Sequence, residues 1–298
     1  MNAGTFRFVD VGPRDGLQNE KKTVSLDAKI AYVEAASQTG VVEVEAGAFV
    51  SEKVVPQMAD SEEVLKKIKR TPGVVYSALV PNERGLERAI EARADKISVF
   101  TAASETFNQK NIRASIAESM ERFKPVVSQA LRRQLTVRAY VSTAFHCPYE
   151  GAIKPEAVLR VADALLDLGV EELSIGDTIG KASPRETAAL LEPLLERIAP
   201  HKVYLHFHDT YGMAVANALS AWRNFSITGF DASSGGLGGC PYAPGASGNV
   251  ALEDLAFAFE AEGGKTGLDI DKIRSAVSWV EPILGHPPAS HLSRVLRP

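Results

Sequence analysis

Short runs rich in β-branched and aromatic residues recur along the chain, separated by stretches in which apolar residues return every three or four positions. The runs predict strands and the stretches predict amphipathic helices, because side chains alternate faces along a strand and share a face at i, i+3 and i+4 on a helix. Eight strands are predicted: Phe6–Val11, Val41–Ala46, Val74–Val80, Lys96–Phe100, Leu135–Val141, Glu172–Ile175, Val203–Phe207 and Ile227–Ala232. Between them, Ser25 is predicted to cap a helix that turns Leu26, Ile30 and Val33 inward and stops at Gly40. Pro155 suits the first turn of a helix with Val158, Val161, Leu165 and Leu168 facing inward and Gly169 at its end. Ser183 to Glu186 reads as a capping box, and further helices are predicted from about Gly212 to Arg223 and from Asn249 to Glu260.

Strands alternating with helices argue for a parallel sheet, and eight such units argue for closure into a (β/α)8 TIM barrel. The 298 residues accommodate it, since such a barrel needs about 250. The competing doubly wound sheet lacks its glycine-rich phosphate loop here, because Gly12-Pro13-Arg14-Asp15-Gly16 follows the first strand. Residues 1–263 are assigned to the barrel. Residues 264–298, with a helical pattern over Ile270–Leu284, form a C-terminal helical extension packed on the barrel or at a subunit contact.

Charge narrows the partners. A formal net charge of −4 gives no general attraction to nucleic acid or to an anionic membrane. Two cysteines, Cys147 and Cys240, make a disulfide framework improbable and suit a reducing compartment. A first strand starting near Phe6 leaves little room for a targeting peptide, and no apolar run approaches the ~18 residues of a membrane span. A cytoplasmic protein is expected.

The chemistry centres on Leu205 to Gly212, LHFHDTYG, where His206 and His208 share one face at a strand end. Two imidazoles about 6–7 Å apart along a strand can converge on one metal ion, although buried core histidines are the structural alternative. Active sites of barrels form at the C-terminal ends of the strands, so polar residues there are the ones to collect. They are Arg14, Asp15 and Gln18 after the first strand, Glu43 and Glu45 on the second, and Arg138 and Tyr140 on the fifth, followed by His146 and Cys147. Asp177 ends the sixth, and the glycine-rich run 235–239 with Cys240 follows the eighth. Surface ion pairs, an inert cysteine, a plain long turn and a rim lysine pairing one of the glutamates are the bland alternatives. Together the residues suit a divalent cation held by His206, His208, Asp15 and an amide oxygen, with Mg2+ or Mn2+ favoured and Zn2+ allowed.

VGPRDGLQNE (11–20), EAGAFVSEKVVPQMAD (45–60), RAYVSTAFHCPYEG (138–151), GDTIG (176–180), HFHDTYG (206–212) and GGLGGCPYAPGASGN (235–249) carry a family likeness over about residues 6–268. The chain resembles the 3-hydroxy-3-methylglutaryl-CoA lyases, which belong to the barrel metallolyases with an Asp/Arg/Glu signature. The resemblance implies cleavage of that acyl-CoA to acetyl-CoA and acetoacetate with Mg2+ or Mn2+ in a homo-oligomer, a dimer above all. It places the metal ligands on Asp15, His206, His208 and Asn249, enolate stabilisation on Arg14, and proton transfer on Cys240. Glu45 and Asp177 would support the site, and Gln18, Asn111, Arg138 and Tyr140 would contact substrate. The Arg-Asp-Gly and His-x-His motifs are shared with Claisen-condensing synthases, which remain an alternative, as does a catalytically silent barrel acting as a binding module.

The chemistry asks for these residue types. Breaking the C2–C3 bond requires the tertiary hydroxyl to lose its proton, which a cation assists, and a guanidinium favours the enolate oxygen that results. A thiol with a reference pKa of about 8.5 is suited to protonating the nascent carbanion. Gly47, Ala48 and Val54 depart from the lyase pattern, in which hydroxyl residues and a tryptophan are usual. Loss of those groups would enlarge the pocket, so a substrate with a longer 3-alkyl branch stands as the alternative to the methyl substrate.

Overall fold

The computed structural model describes residues 5–239 and 248–295. Eight parallel strands close into a barrel: β1 (Arg7–Asp10), β2 (Glu43–Ala48), β3 (Val75–Leu79), β4 (Lys96–Ala102), β5 (Thr136–Ser142), β6 (Glu172–Asp177), β7 (Val203–Phe207) and β8 (Gly229–Ala232). Each strand pairs with its sequence neighbours, and β8 pairs with β1 through Arg7↔Gly229 to Asp10↔Ala232. The (β/α)8 expectation therefore holds. A two-stranded hairpin, His146–Cys147 with Gly151–Ala152, is inserted after β5.

The helical ring follows from local chemistry. Helix α1 (Leu26–Ala36) is capped by Ser25, and Gly40 supplies the left-handed φ of 99° that turns the chain into β2. Its buried stripe differs from the expected one: Lys29, Tyr32, Val33 and Ala36 are buried, while Leu26 and Ile30 are half-buried. The rotation is possible because Lys29 Nζ is satisfied inside, donating to Gln57 O and to Asp60 Oδ1 at 2.6 Å. Around the ring follow α2 (Ser61–Lys67), α3 (Glu83–Glu91), α4 (Glu105–Ile112), α5 (Ile116–Arg132) and α6 (Pro155–Asp167). Then come α7 (Pro184–Leu194), where the Ser183–Glu186 capping box is formed, α8 (Ala214–Phe225) and α9 (Leu252–Ala261). Among the described residues no helix is long and apolar enough to cross a membrane.

The aliphatic and aromatic core lies between barrel and helices. Phe259 of α9, for example, packs against Phe6, Phe8, Trp222 and Phe230 with ring centroids 4.8–6.0 Å away. The barrel interior is polar instead. Lys96 and Arg138 both pair with Glu43, at 2.8 and 3.0 Å, and both also reach Glu172. One of the two second-strand glutamates does pair with a lysine, but inside the barrel and not at its rim.

Residues after 263 form α10 (Ile270–Val277), α11 (Glu281–Leu284) and α12 (His291–Val295). Ile273, Ala276, Val280 and Leu284 join the main core, and Ala289 N donates to Gly235 O at 2.9 Å. The extension packs on the barrel and reaches the loop after β8.

Candidate active site

At the C-terminal mouth of the barrel, the loop after β1 folds as one tight helical turn over Gly12–Gly16 and sends Arg14 and Asp15 into the opening. Arg14 Nε donates to Glu45 Oε2 and Nη1 donates to Asp15 Oδ1, both at 2.6 Å. Glu45 is held in turn by Ser98 Oγ at 2.7 Å and Tyr140 OH at 3.1 Å. Burial works against the charge on Arg14, but Glu45 and Asp15 outweigh it and hold the guanidinium above its ordinary value. Burial likewise opposes ionisation of Asp15, yet Arg14 and the two histidines keep its carboxyl far below the usual range.

His206 and His208 project from the end of β7, both buried. His206 Nε2 lies 3.9 Å from Asp15 Oδ2. Residues 248–251 run along this edge: Val250 N donates to Phe207 O at 3.0 Å, and Asn249 bridges His208. The pairing brings Asn249 to Asp15, whose Oδ2 accepts from Asn249 Nδ2 at 2.9 Å. Burial, then the neighbouring His206, press the His208 pKa down to about 4. Burial also disfavours charge on His206, but Asp231 and Asp15 raise its pKa overall.

Ligand atoms of Asp15, His206 and His208 all lie within 4.8 Å of one another. His206 Nδ1, His208 Nδ1 and Asn249 Oδ1 are buried with no hydrogen-bond partner among the described residues. One carboxylate, two imidazoles and an amide oxygen, three of them with unsatisfied buried atoms, fit a divalent cation.

These groups stand at one end of a cavity of about 1040 Å3. Arg14, Asp15, Gln18, His206 and His208 line it, as does Asn111 of α4. Gly239 lines it too, whereas Cys240 lies outside the described residues. Two expected substrate contacts are placed elsewhere. Arg138 is 1% exposed inside the barrel, where Glu43, Glu172 and Asp231 take up its guanidinium, and Tyr140 is buried with its hydroxyl on Glu45. Neither lines the cavity. Asp177 is also set back. Its carboxylate accepts from Lys181 N and Ala182 N, burial pushes its pKa up to about 6, and it braces the loop whose Thr178 does line the cavity. His146 contacts Glu186 at 2.9 Å and Cys147 contacts Ser104 Oγ at 3.0 Å, both away from the metal-type set. Asp231, which the sequence reading passed over, touches His206 from below, and a lone acid inside a predicted strand was its available signal.

The reading of Gly47 and Ala48 as pocket-enlarging is corrected. Neither lines the cavity: Ala48 is buried, and a Cβ on Gly47 would meet Ser61 Cβ and Oγ at 2.6 Å. Only Val54 of the three opens onto the cavity, 71% exposed at its mouth. Gly47→Ala is therefore expected to destabilise the fold by about 1–3 kcal/mol through overpacking, with KM for the acyl-CoA unchanged. Thermal unfolding and steady-state kinetics check this, and a shifted KM at unchanged stability would return Gly47 to the pocket.

Fold and site together define a TIM-barrel protein with a metal-binding type of ligand set at its C-terminal mouth. The chain belongs to the HMGL-like family, matched over residues 5–280, whose lyases are metal-dependent. It is 46% identical over 288 residues to hydroxymethylglutaryl-CoA lyase of Bacillus subtilis, covering 97% of this chain and 96% of the relative. It is 44% identical over 290 residues to a 3-hydroxy-3-isohexenylglutaryl-CoA/hydroxymethylglutaryl-CoA lyase of Pseudomonas aeruginosa, covering 97% and 96%. A solved HMG-CoA lyase of Acinetobacter baumannii in complex with coenzyme A and 3-methylmalate superposes with a TM-score of 0.94 at 37% identity, covering 100% of this chain and 97% of that one.

Proposed function

We propose that this chain cleaves 3-hydroxy-3-methylglutaryl-CoA to acetyl-CoA and acetoacetate. The observation that carries the reading is the convergence of Asp15, His206 and His208 beside the buried Arg14 at one end of the cavity. Near-full-length identity to enzymes named for that reaction supports it. Asp15, His206, His208 and Asn249 would hold the divalent cation, Mg2+ or Mn2+. When bound, that cation supplies Lewis acidity towards an oxygen of the substrate. Arg14, fixed by Glu45 and Asp15, binds the thioester oxygen as the C2–C3 electron pair moves onto the acetyl-CoA fragment and charge builds there. The hydroxyl proton leaves as the ketone of acetoacetate forms, and the enolate carbon takes a proton, delivered in this reading by the thiol of Cys240. Asp177 and Glu45 act behind these groups, the first on the Thr178 loop and the second on the guanidinium.

The CoA moiety is assigned to the cationic part of the cavity lining, Lys21, Lys110, Arg113 and Arg122, in a chain whose net charge is −4. Arg122 donates from Nη1 to Ile112 O and from Nη2 to Arg113 O, which fixes the turn after α4. Arg113→Glu is expected to raise KM for the CoA ester about tenfold, with kcat nearly unchanged and the penalty shrinking at high salt. An unaltered KM would move the phosphates elsewhere.

A longer 3-alkyl branch is the second reading. Val50, Val54, Leu79, Phe100 and Phe107 give the cavity an apolar flank, and the P. aeruginosa relative is named for a branched homologue as well. The deciding experiment presents purified enzyme, with Mg2+ and with EDTA, to the methyl substrate and to a longer 3-alkyl homologue, and follows products by mass spectrometry. EDTA-sensitive acetyl-CoA and acetoacetate from the methyl substrate support the first reading. Turnover of the homologue alone supports the second, and cleavage of neither overturns both.

A further inference from the structure

Asp231 of β8 touches the metal-type ligand set from the barrel interior and has no part in the scheme above. It is 1% exposed. Its Oδ1 accepts from Arg138 Nη1 at 3.2 Å, its Oδ2 accepts from Ser174 Oγ at 2.5 Å, and the same Oδ2 is 3.5 Å from His206 Nδ1, a buried ring nitrogen with no other partner among the described residues. On the opposite edge of the same ring, Nε2 faces Asp15 Oδ2 at 3.9 Å. A neutral imidazole carries one ring proton, and a carboxylate beside Nδ1 draws it there, leaving the Nε2 lone pair directed at Asp15. The carboxylate is itself immobilised. Arg138, held by Glu43 at 3.0 Å and Glu172 at 3.2 Å, fixes it through Oδ1.

We propose that Asp231 is a positioning residue that holds His206 as the Nδ1–H tautomer with Nε2 turned to the cation site, and that Arg138 anchors Asp231 for this purpose. The inference rests on the metal-site reading and adds the groups that orient one of its ligands. A purely structural ion pair would not need the third carboxylate: Arg138 already has Glu43 and Glu172, and of its three acidic partners Asp231 is the one that also contacts a residue of the ligand set. Ser174 approaches the same Asp231 oxygen as His206 does, so its removal provides a matched control.

The test begins with metal-free wild-type enzyme carrying 15N-labelled histidine, read on the alkaline plateau of the His206 signal, because Asp231 and Asp15 raise that ring above the ordinary imidazole range. Six histidines give few signals, and His206 is assigned by its loss in His206→Asn. A protonated Nδ1 with a bare Nε2 is expected; a proton on Nε2 would overturn the proposal. Mn2+ binding, read from the electron paramagnetic resonance of the free ion, is then compared across variants. Asp231→Asn is expected to weaken Mn2+ affinity about 10–100-fold, and Ser174→Ala to leave it nearly unchanged. Equal Mn2+ affinity in wild type and Asp231→Asn would overturn the proposal, whatever happens to thermal stability. Absence of Mn2+ binding by the wild type would remove the cation site itself, and the ring-proton measurement would still decide the Asp231 contact. The same measurement decides it should Asp231→Asn fail to fold.

Discussion

Arg14→Lys is expected to lower kcat by at least about a hundredfold while leaving Mn2+ affinity within reach of the wild type. Arg14 uses two separate nitrogens, Nε towards Glu45 and Nη1 towards Asp15, so its plane is fixed before substrate arrives. A lysine ammonium is a single point and cannot span both carboxylates with the same geometry. If it follows Asp15, Glu45 loses a buried cationic partner and keeps only the hydroxyls of Ser98 and Tyr140. Such a loss also costs about 1–3 kcal/mol of stability. Three measurements separate the effects: kcat reports the charge placed on the thioester oxygen, Mn2+ titration reports whether Asp15 has moved, and thermal unfolding reports the orphaned Glu45. Near-native kcat would take Arg14 out of transition-state stabilisation.

The eight strands and the barrel were readable because alternation within a strand is a local property of the chain. Height along the barrel axis is not. Glu43-x-Glu45 and Arg138-x-Tyr140 look equivalent as alternating pairs, and both suggest side chains at the mouth. Strand stagger decides otherwise: Arg138 pairs in register with Ser98 and Glu172, level with the charged layer of Glu43 and Lys96, and Tyr140 stands one layer above beside Glu45. Barrels are commonly filled by aliphatic layers, so nothing in one strand's sequence announced a charged interior or the part Asp231 plays in it. Asn249 was legible only through family likeness, because its position depends on residues 248–251 returning to pair with β7, 41 residues after His208 by their numbers. Gly47 misled for a related reason. A small residue after a strand suggests open space, and only the packing of Ser61 against it shows that the space is filled.

His208→Ala is expected to weaken Mn2+ binding by more than about a hundredfold, since even partners outside the ligand sphere are worth 10–100-fold, and to abolish lyase activity at ordinary metal concentrations. His208 is suited to the role by its environment. Burial and the adjacent His206 hold its pKa near 4, so at neutral pH no proton competes for the ring, and its Nδ1 has no partner among the described residues. Those same facts give the metal-free protein a pH signature. Because the folded pKa of about 4 lies below the ordinary imidazole value of 6.5, the unfolded chain binds the extra proton first as pH falls, and stability declines through the window from about 6.5 to about 4. An alanine has no such proton to bind. Metal-free His208→Ala is therefore expected to lose less stability than the wild type on acidification across that window, while losing the metal at every pH. Denaturant titrations at several pH values, paired with Mn2+ titrations, separate the two roles. Normal Mn2+ binding by the alanine variant would remove His208 from the ligand set, and identical acid profiles would show that its ring is not held neutral by burial.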